Sequence, residues 1–379
     1  MDFTYDEEQQ ALREAVRGLV GKSYADFENR RRTVAADPGF DESLWARLAE
    51  MGVLGLPFAE EDGGMGAGPI EVGIVAEELG RVLAPEPFLT SVVLAGGIVA
   101  AAGSAEQRAE VLGALAEGES VLAFAHAEPG TRWVPTAAGV TAQPDGDSWT
   151  LTGVKEPVPH GARADRLVVS AALPDGGTGL FLVTGDATGL DREGYATHDG
   201  GRAARVSFAG TPAVPLGEPV DRTAAIARTL DLARVAACSQ AVGAMQVALD
   251  ATTSYLTSRK QFGVTLNTFQ ALNFRASDMY VSLELATSLT AWATMVLVAG
   301  DDAAVADAAS RASLQVSRAG RHVGQEAIQL HGGIGMTAEY SVGSYASHLT
   351  ALDHLLGDGQ HHLTRLAAQV GEHAEVDPL

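Results

Sequence analysis

Two short blocks carry the side chains best suited to binding or chemistry. Arg259-Lys260-Gln261-Phe262-Gly263, with Phe269-Gln270 shortly after, sets a guanidinium, a side-chain amide and an aromatic ring close together. An arginine fork pairs with a diphosphate, an amide offers both a donor and an acceptor, and a ring face stacks on a flat heterocycle. Taken alone, the block also reads as a solvated helix end capped by Gly263. The second block, Gln329-Leu330-His331-Gly332-Gly333-Ile334-Gly335-Met336, follows about 70 residues later. Consecutive glycines let a backbone come close to a phosphate and present peptide N–H groups to it, although such a cluster alone also suits a helix C-terminus.

Positioning these blocks requires long rigid elements, and the prolines say where those lie. Fourteen of the 15 prolines stand at or before Pro219 and the last is Pro378, leaving 158 residues without one. Proline in a helix interior costs roughly 3 kcal/mol, so this gap predicts long uninterrupted helices. Leu230, Val235, Ala241, Ala244, Met245, Ala248 and Leu249 recur at helical spacing, as do Phe269, Leu272, Ala276, Met279 and Leu283. Residues 219–379 are therefore expected to form a C-terminal four-helix bundle, with Arg259 at an elbow between two long helices. Residues 1–120 read as an N-terminal helical domain, with amphipathic stretches over 6–20 and 42–51. Between them, residues 121–218 carry short β-type runs at 121–125, 149–152, 166–170, 180–183 and 204–208. Turns such as Asp145-Gly146-Asp147 separate them, which predicts a small β-barrel or sandwich. The fold class is α+β, mainly α.

Composition narrows the function classes. The chain of 379 residues is 46% hydrophobic and carries a formal charge of -22, enough apolar material for a large core. The acidic field repels phosphate backbones and anionic bilayers, so no nucleic-acid or membrane partner is expected. The sole cysteine, Cys238, removes disulfides and thiolate-rich metal sites and suits a reducing, cytoplasmic compartment. No metal site is expected. The acidic start Met1-Asp2-Phe3-Thr4-Tyr5-Asp6 is unlike a targeting peptide.

The two blocks and the helical–β–helical order resemble the acyl-CoA dehydrogenase family over essentially the whole chain. That resemblance implies FAD, an acyl-CoA substrate, electron transfer to an electron-transferring flavoprotein, and a tetramer whose flavins are shared across subunit interfaces. It also implies that Arg259, Gln261 and Phe262, with Gln270 nearby, contact FAD in a neighbouring subunit. Gln329, Gly332 and Gly333 would then meet the diphosphate, Gln360 would match a family glutamine, and Asp231 and Arg234 would lie near the pantetheine and thioester. The plainer reading of that last pair is an ordinary surface ion pair three residues apart.

The pattern breaks where proton abstraction needs it. Removing an α-proton while hydride leaves the β-carbon requires a carboxylate over the substrate. The usual glutamate position is Leu356, within Leu355-Leu356-Gly357-Asp358-Gly359-Gln360, and the alternative helix position is Ala233. Asp358 is the nearest substitute, though a helix cap suits it better. His348, His354, His361 and His362 offer a proton relay or a purely structural role. The family's Thr-Glu-Pro-Gly-x-Gly-Ser loop is here Ala127-Glu128-Pro129-Gly130-Thr131-Arg132-Trp133, and its Trp-Ile-Thr segment is Pro157-Val158-Pro159. The tail from Gly332 to Asp358 is similar to the small, base-lacking subunits of bacterial two-component acyl-CoA dehydrogenases, such as those acting on pimeloyl-CoA or steroid side-chain thioesters. An α2β2 heterotetramer with a glutamate-bearing partner is thus the first expectation. A self-sufficient homotetramer using Asp358 or a histidine-held water is the second, and a flavin-free scaffold or acyl-CoA-binding subunit the third.

Overall fold

The computed structural model describes residues 4–146 and 148–372. Met1-Asp2-Phe3 of the acidic start, Asp147 of the expected turn, and Pro378 lie outside the described residues. The N-terminal region holds α1 (Glu7–Ser23), α2 (Phe27–Ala35), α3 (Glu42–Glu50), α4 (Pro69–Arg81), a π-helical segment (Phe88–Gly96) running into α5 (Gly97–Ala102), and α6 (Ala105–Ala116). Side-chain caps start several of them: Asp6 accepts from the Gln9 N–H at 2.8 Å and Ser104 from the Gln107 N–H at 3.2 Å, each satisfying a donor a helix start leaves open.

The middle region is a closed barrel. Its strands are β1 (Leu122–Ala125), β2 (Thr141–Asp145), β3 (Ser148–Pro159), β4 (Arg166–Ala172), β5 (Thr178–Thr184), β6 (Leu190–Ala196) and β7 (Arg202–Pro215). The path β4-β2-β3-β7-β5 returns to β4, with β1 added beside β4 and β6 beside β7. Closure removes most open strand edges. Strands β2 and β6 were not among the expected runs because nearly all their residues are exposed, so they lack the apolar alternation that announces a strand. Pro157 falls on β3 within a register shift between Lys155 and Val158, and Pro159 just beyond it, where a missing N–H is tolerated.

Three long helices follow: α7 (Thr223–Ser258), α8 (Gln270–Ala299) and α9 (Asp302–His331). The fourth position of the expected bundle is filled by two shorter helices, α10 (Val342–Leu355) and α11 (Gly359–Gln369), broken at Leu356-Gly357. Helices α4 and α7 meet with their backbones nearly touching. A Cβ on Gly80 would lie 2.0 Å from the Gln240 carbonyl oxygen, and one on Gly243 2.0 Å from that of Glu77. Only glycine permits this approach, and it clamps the N-terminal helices onto the C-terminal ones.

Candidate functional site

The Arg259 block is a hairpin, not a capped helix end. Arg259 is the C-cap of α7, and Lys260-Gln261 (β8) pairs with Val264-Thr265 (β9). Phe262 and Gly263 form the two-residue turn, with φ of 54° and 81°. Both positive values match the primed turns that suit a hairpin's twist. Phe262 thus adopts a left-handed conformation costing about 1 kcal/mol or more, and its side chain is 90% exposed. Among the described residues, an aromatic ring held out this way makes one ring contact, an edge contact with Phe269 at 6.1 Å.

The second block lies across from it. Arg259, Gln261, Arg275, Gln329, Gly332 and Gly333 line one open depression with Tyr255 and His331. Sequence-distant residues are thereby brought to one surface; Gln270 is the first residue of α8 and is not among those lining the depression. The Gly332 N–H is spent on the Gln329 and Ile328 carbonyls as the C-cap of α9, so the expected N–H donor at that glycine is already used. Arg275 is also occupied, bound to Glu326 through both its Nε and Nη2. Among the described residues, the Arg259 guanidinium makes no ion pair, which leaves it available to an anion in a strongly acidic chain.

Asp231 and Arg234 are not a surface pair. They are 4% and 5% exposed, and Arg234 Nη1 donates to Asp231 at 2.6 Å while its Nε donates to the Leu356 carbonyl at 2.8 Å. Arg365 reaches the same Asp231 oxygen at 3.3 Å, a partner from α11 that spacing along the sequence could not reveal. The loop between α10 and α11 is therefore held in place, yet it carries an aliphatic side chain: Leu356 is buried beside a void of about 40 Å³, room for a water or two. Asp353 shares that void. Ala233 is fully buried. Asp358 is the N-cap of α11 and accepts from the His361 N–H at 2.8 Å. Gln360 is exposed one residue into that helix.

Glu128-Pro129-Gly130 persists for a structural reason. The Glu128 carboxylate accepts from the Ala138, Gly139 and Val140 N–H groups at 3.0, 2.7 and 3.0 Å and from Lys155 Nζ at 2.7 Å. Lys155 is wholly buried and also donates to the His126 carbonyl and Ser170. Burial lowers its pKa to about 8, opposed by the Glu128 partnership. The following residues close the gap between the barrel and the C-terminal helices. Trp133 takes a φ of 56°, donates from Nε1 to the His354 carbonyl at 3.1 Å, and sets its ring 5.4 Å from that of His361.

The histidines do not form a relay. His348 pairs through Nδ1 with Asp199 at 2.8 Å, and His354 Nδ1 bonds the Thr350 carbonyl. His362 is buried below Gly357, its pKa lowered to about 3 by burial and by nearby Arg234. No continuous chain of hydrogen bonds links the four, and no group of three or more His, Cys, Asp or Glu side chains among the described residues has metal-site geometry.

The two faces of the site differ in their fit to a flavin dinucleotide. The outer face fits: a guanidinium without an ion pair among the described residues and two amides line a depression wide enough for a diphosphate, and the Phe262 ring projects from the adjoining hairpin turn. The inner face does not, since Ala127, Trp133, Pro157 and Pro159 give no side-chain hydroxyl to a flavin ring and Trp133 occupies the gap.

Family models described as the acyl-CoA dehydrogenase N-terminal domain and the acyl-CoA dehydrogenase C-terminal domain match residues 6–119 and 223–371. The chain belongs to the acyl-CoA dehydrogenase family. It is 31% identical to the mitochondrial short-chain specific acyl-CoA dehydrogenase of Sus scrofa, over 88% of this chain and 83% of that one. Among solved structures, a variant of the Tcur3481-Tcur3483 steroid ACAD is 35% identical with a TM-score of 0.88, covering 97% of this chain and 98% of that one. The ChsE4-ChsE5 complex from Mycobacterium tuberculosis is 26% identical with a TM-score of 0.89, covering 99% and 100%.

Proposed function

We propose that this chain is the base-lacking subunit of a two-component, FAD-dependent acyl-CoA dehydrogenase, working in an α2β2 tetramer with a glutamate-bearing homologue. The observation that carries the reading is Leu356, an aliphatic residue on a loop that Arg234 holds in a fixed place. When bound, FAD accepts the hydride leaving the substrate β-carbon. Arg259 would pair with the diphosphate of a flavin seated largely in the neighbouring subunit, Gln261 and Gln329 would add amide hydrogen bonds, and the Phe262 ring would pack on its flat portion. The α-proton would go to the partner's glutamate, and the electrons to an electron-transferring flavoprotein.

Three further features support this assembly. Phe274, Tyr280, Val281 and Leu285 on α8 are each more than half exposed, an apolar face that suits helix packing between subunits. Two of the solved neighbours carry paired names, Tcur3481-Tcur3483 and ChsE4-ChsE5. Another is named for an electron-transferring flavoprotein of Acidaminococcus fermentans. The buried lone thiol of Cys238 accords with a cytoplasmic setting. A second reading, a flavin-free scaffold or acyl-CoA-binding subunit, draws on Trp133 in the inner gap.

The test is a dye-reduction assay with acyl-CoA thioesters on the purified chain, alone and mixed with a glutamate-bearing homologue, alongside the flavin absorbance and native mass. Turnover and flavin only in the mixed tetramer supports the subunit reading. Turnover by the chain alone overturns it, and a mixed tetramer without flavin favours the scaffold.

A further inference from the structure

His331 stands between Gln329 and Gly332 in the glycine block, and the proposed function gives it no part. It is the last residue of α9 and only 3% exposed, although it borders the depression that Arg259 and Gln329 share. Its polar edge is spent or covered. Nδ1 bonds the Ala327 carbonyl at 2.7 Å, and because a carbonyl only accepts, the proton sits on Nδ1 and leaves Nε2 an acceptor. Nε2 is buried with no hydrogen-bond partner. Neither nitrogen is open to a ligand in the depression, so His331 is not a contact residue.

Its other partners are aromatic rings. The His331 ring centroid lies 4.5 Å from that of Tyr255, with the planes 30° apart, and 4.8 Å from that of Tyr340, and the two tyrosines meet edge to face at 6.3 Å. The three rings close a triangle whose corners belong to different elements. Tyr255 is in the last turn of α7, His331 ends α9, and Tyr340 lies between the glycine block and α10, packed on the C-terminal core. Ring pairs of this kind prefer definite offset and edge geometries, so they fix orientation as well as spacing.

Each side of the triangle leads to a group on the outer face. The Tyr255 carbonyl accepts from the Arg259 N–H at 2.8 Å, and the Arg259 carbonyl accepts from the Leu266 N–H at 2.9 Å, closing the hairpin on that same residue. On the other side His331 is followed at once by Gly332, and the block folds back over it so closely that a Cβ on Gly335 would lie 3.1 Å from His331 Cβ. Among the described residues no hydrogen bond or ion pair joins the hairpin to the glycine block, so the rings are the direct tie between them. We propose that His331 is a positioning residue: through Tyr255 it sets where Arg259 stands relative to Gln329 and Gly333, so that guanidinium and amide grip one diphosphate together. This rests on the reading that the depression receives the diphosphate of FAD. A grip shared between two elements gains affinity only when their spacing is fixed beforehand.

The test is a double-variant cycle on the mixed tetramer, read as the rate of FAD release from the rise in flavin fluorescence on dilution, with urea unfolding of each variant chain alongside. His331→Ala should speed release about tenfold. His331→Phe keeps the ring and loses only the Nδ1 bond, so its release should stay within about threefold of the unaltered chain. With Arg259→Ala the guanidinium to be positioned is gone, and adding His331→Ala to it should change release little further. Should His331→Ala fail to assemble, His331→Leu fills the space without a ring and takes its place in the cycle. Effects that multiply in the double variant overturn the proposal, since His331 would then act on general stability and not through Arg259. Unchanged release in His331→Ala, or equal effects of His331→Ala and His331→Phe, overturn it as well while leaving the flavin reading intact. Unchanged release in Arg259→Ala alone overturns both.

Discussion

The Nε of Arg234 donates to the main-chain carbonyl of Leu356 at 2.8 Å, joining residues 122 positions apart. Helix α7 thereby fixes the backbone at the one loop position where the family resemblance calls for a carboxylate, and does so without a carboxylate there.

Arg234→Leu should cost about 3 kcal/mol of stability, because it strands the buried Asp231 with only the longer Arg365 contact. Urea unfolding of the variant beside Asp231→Asn/Arg234→Leu measures this, and the double variant should recover part of the loss.

Arg259→Ala should reduce FAD retention by the mixed tetramer about tenfold or more while leaving the unfolding midpoint of the chain unchanged. The side chain is exposed and unpaired among the described residues, and a lost charge-assisted bond to a diphosphate is worth about 1.5–3 kcal/mol. Flavin absorbance after repeated desalting reads the effect, and full retention would remove Arg259 from the flavin contact.

Lys155→Met should destabilise the chain by about 3–5 kcal/mol, since it leaves the Glu128 carboxylate buried without its cation. Lys155→Met/Glu128→Gln should be milder. Thermal and urea unfolding distinguish the two variants, and equal losses would mean the ion pair is not what holds the loop.

Glu86 makes a pH prediction of definite sign. Its pKa rises from 4.5 to about 7 on folding, chiefly by burial, so the unfolded chain ionises first. The stability contributed by the neutral acid is fully present below about pH 4.5 and is lost as pH rises to about 7, a difference of roughly 3 kcal/mol. Glu86→Gln should remove that slope. Parallel slopes for variant and wild type across this window would show that Glu86 is not the group responsible.

The order of helical, β and helical regions was legible because proline spacing and apolar periodicity report long helices directly. Convergence of Arg259 with Gln329 was legible only through resemblance, since nothing in local sequence brings residues 70 apart to one depression. The hairpin escaped notice because Phe262 occupies a left-handed position more typical of glycine or asparagine. Strands β2 and β6 were missed because they are exposed, and Arg365 because a tertiary ion pair leaves no trace in spacing. Glu86 gave no signal at all: a glutamate between two prolines reads as solvent-facing loop, and only folding closes Tyr24 and Asp41 around it.

The reciprocal contact of Gly80 and Gly243 has a mechanical meaning. Two helices whose main chains touch cannot rotate or slide past each other without a clash, so α4 and α7 behave as a single strut. Trp133 is attached more lightly: it meets the C-terminal helices through its bond to the His354 carbonyl and a ring contact with His361. A methyl group at Gly243 would pry the strut apart and change the shape of the whole chain, whereas trimming Trp133 would open one door in a rigid frame.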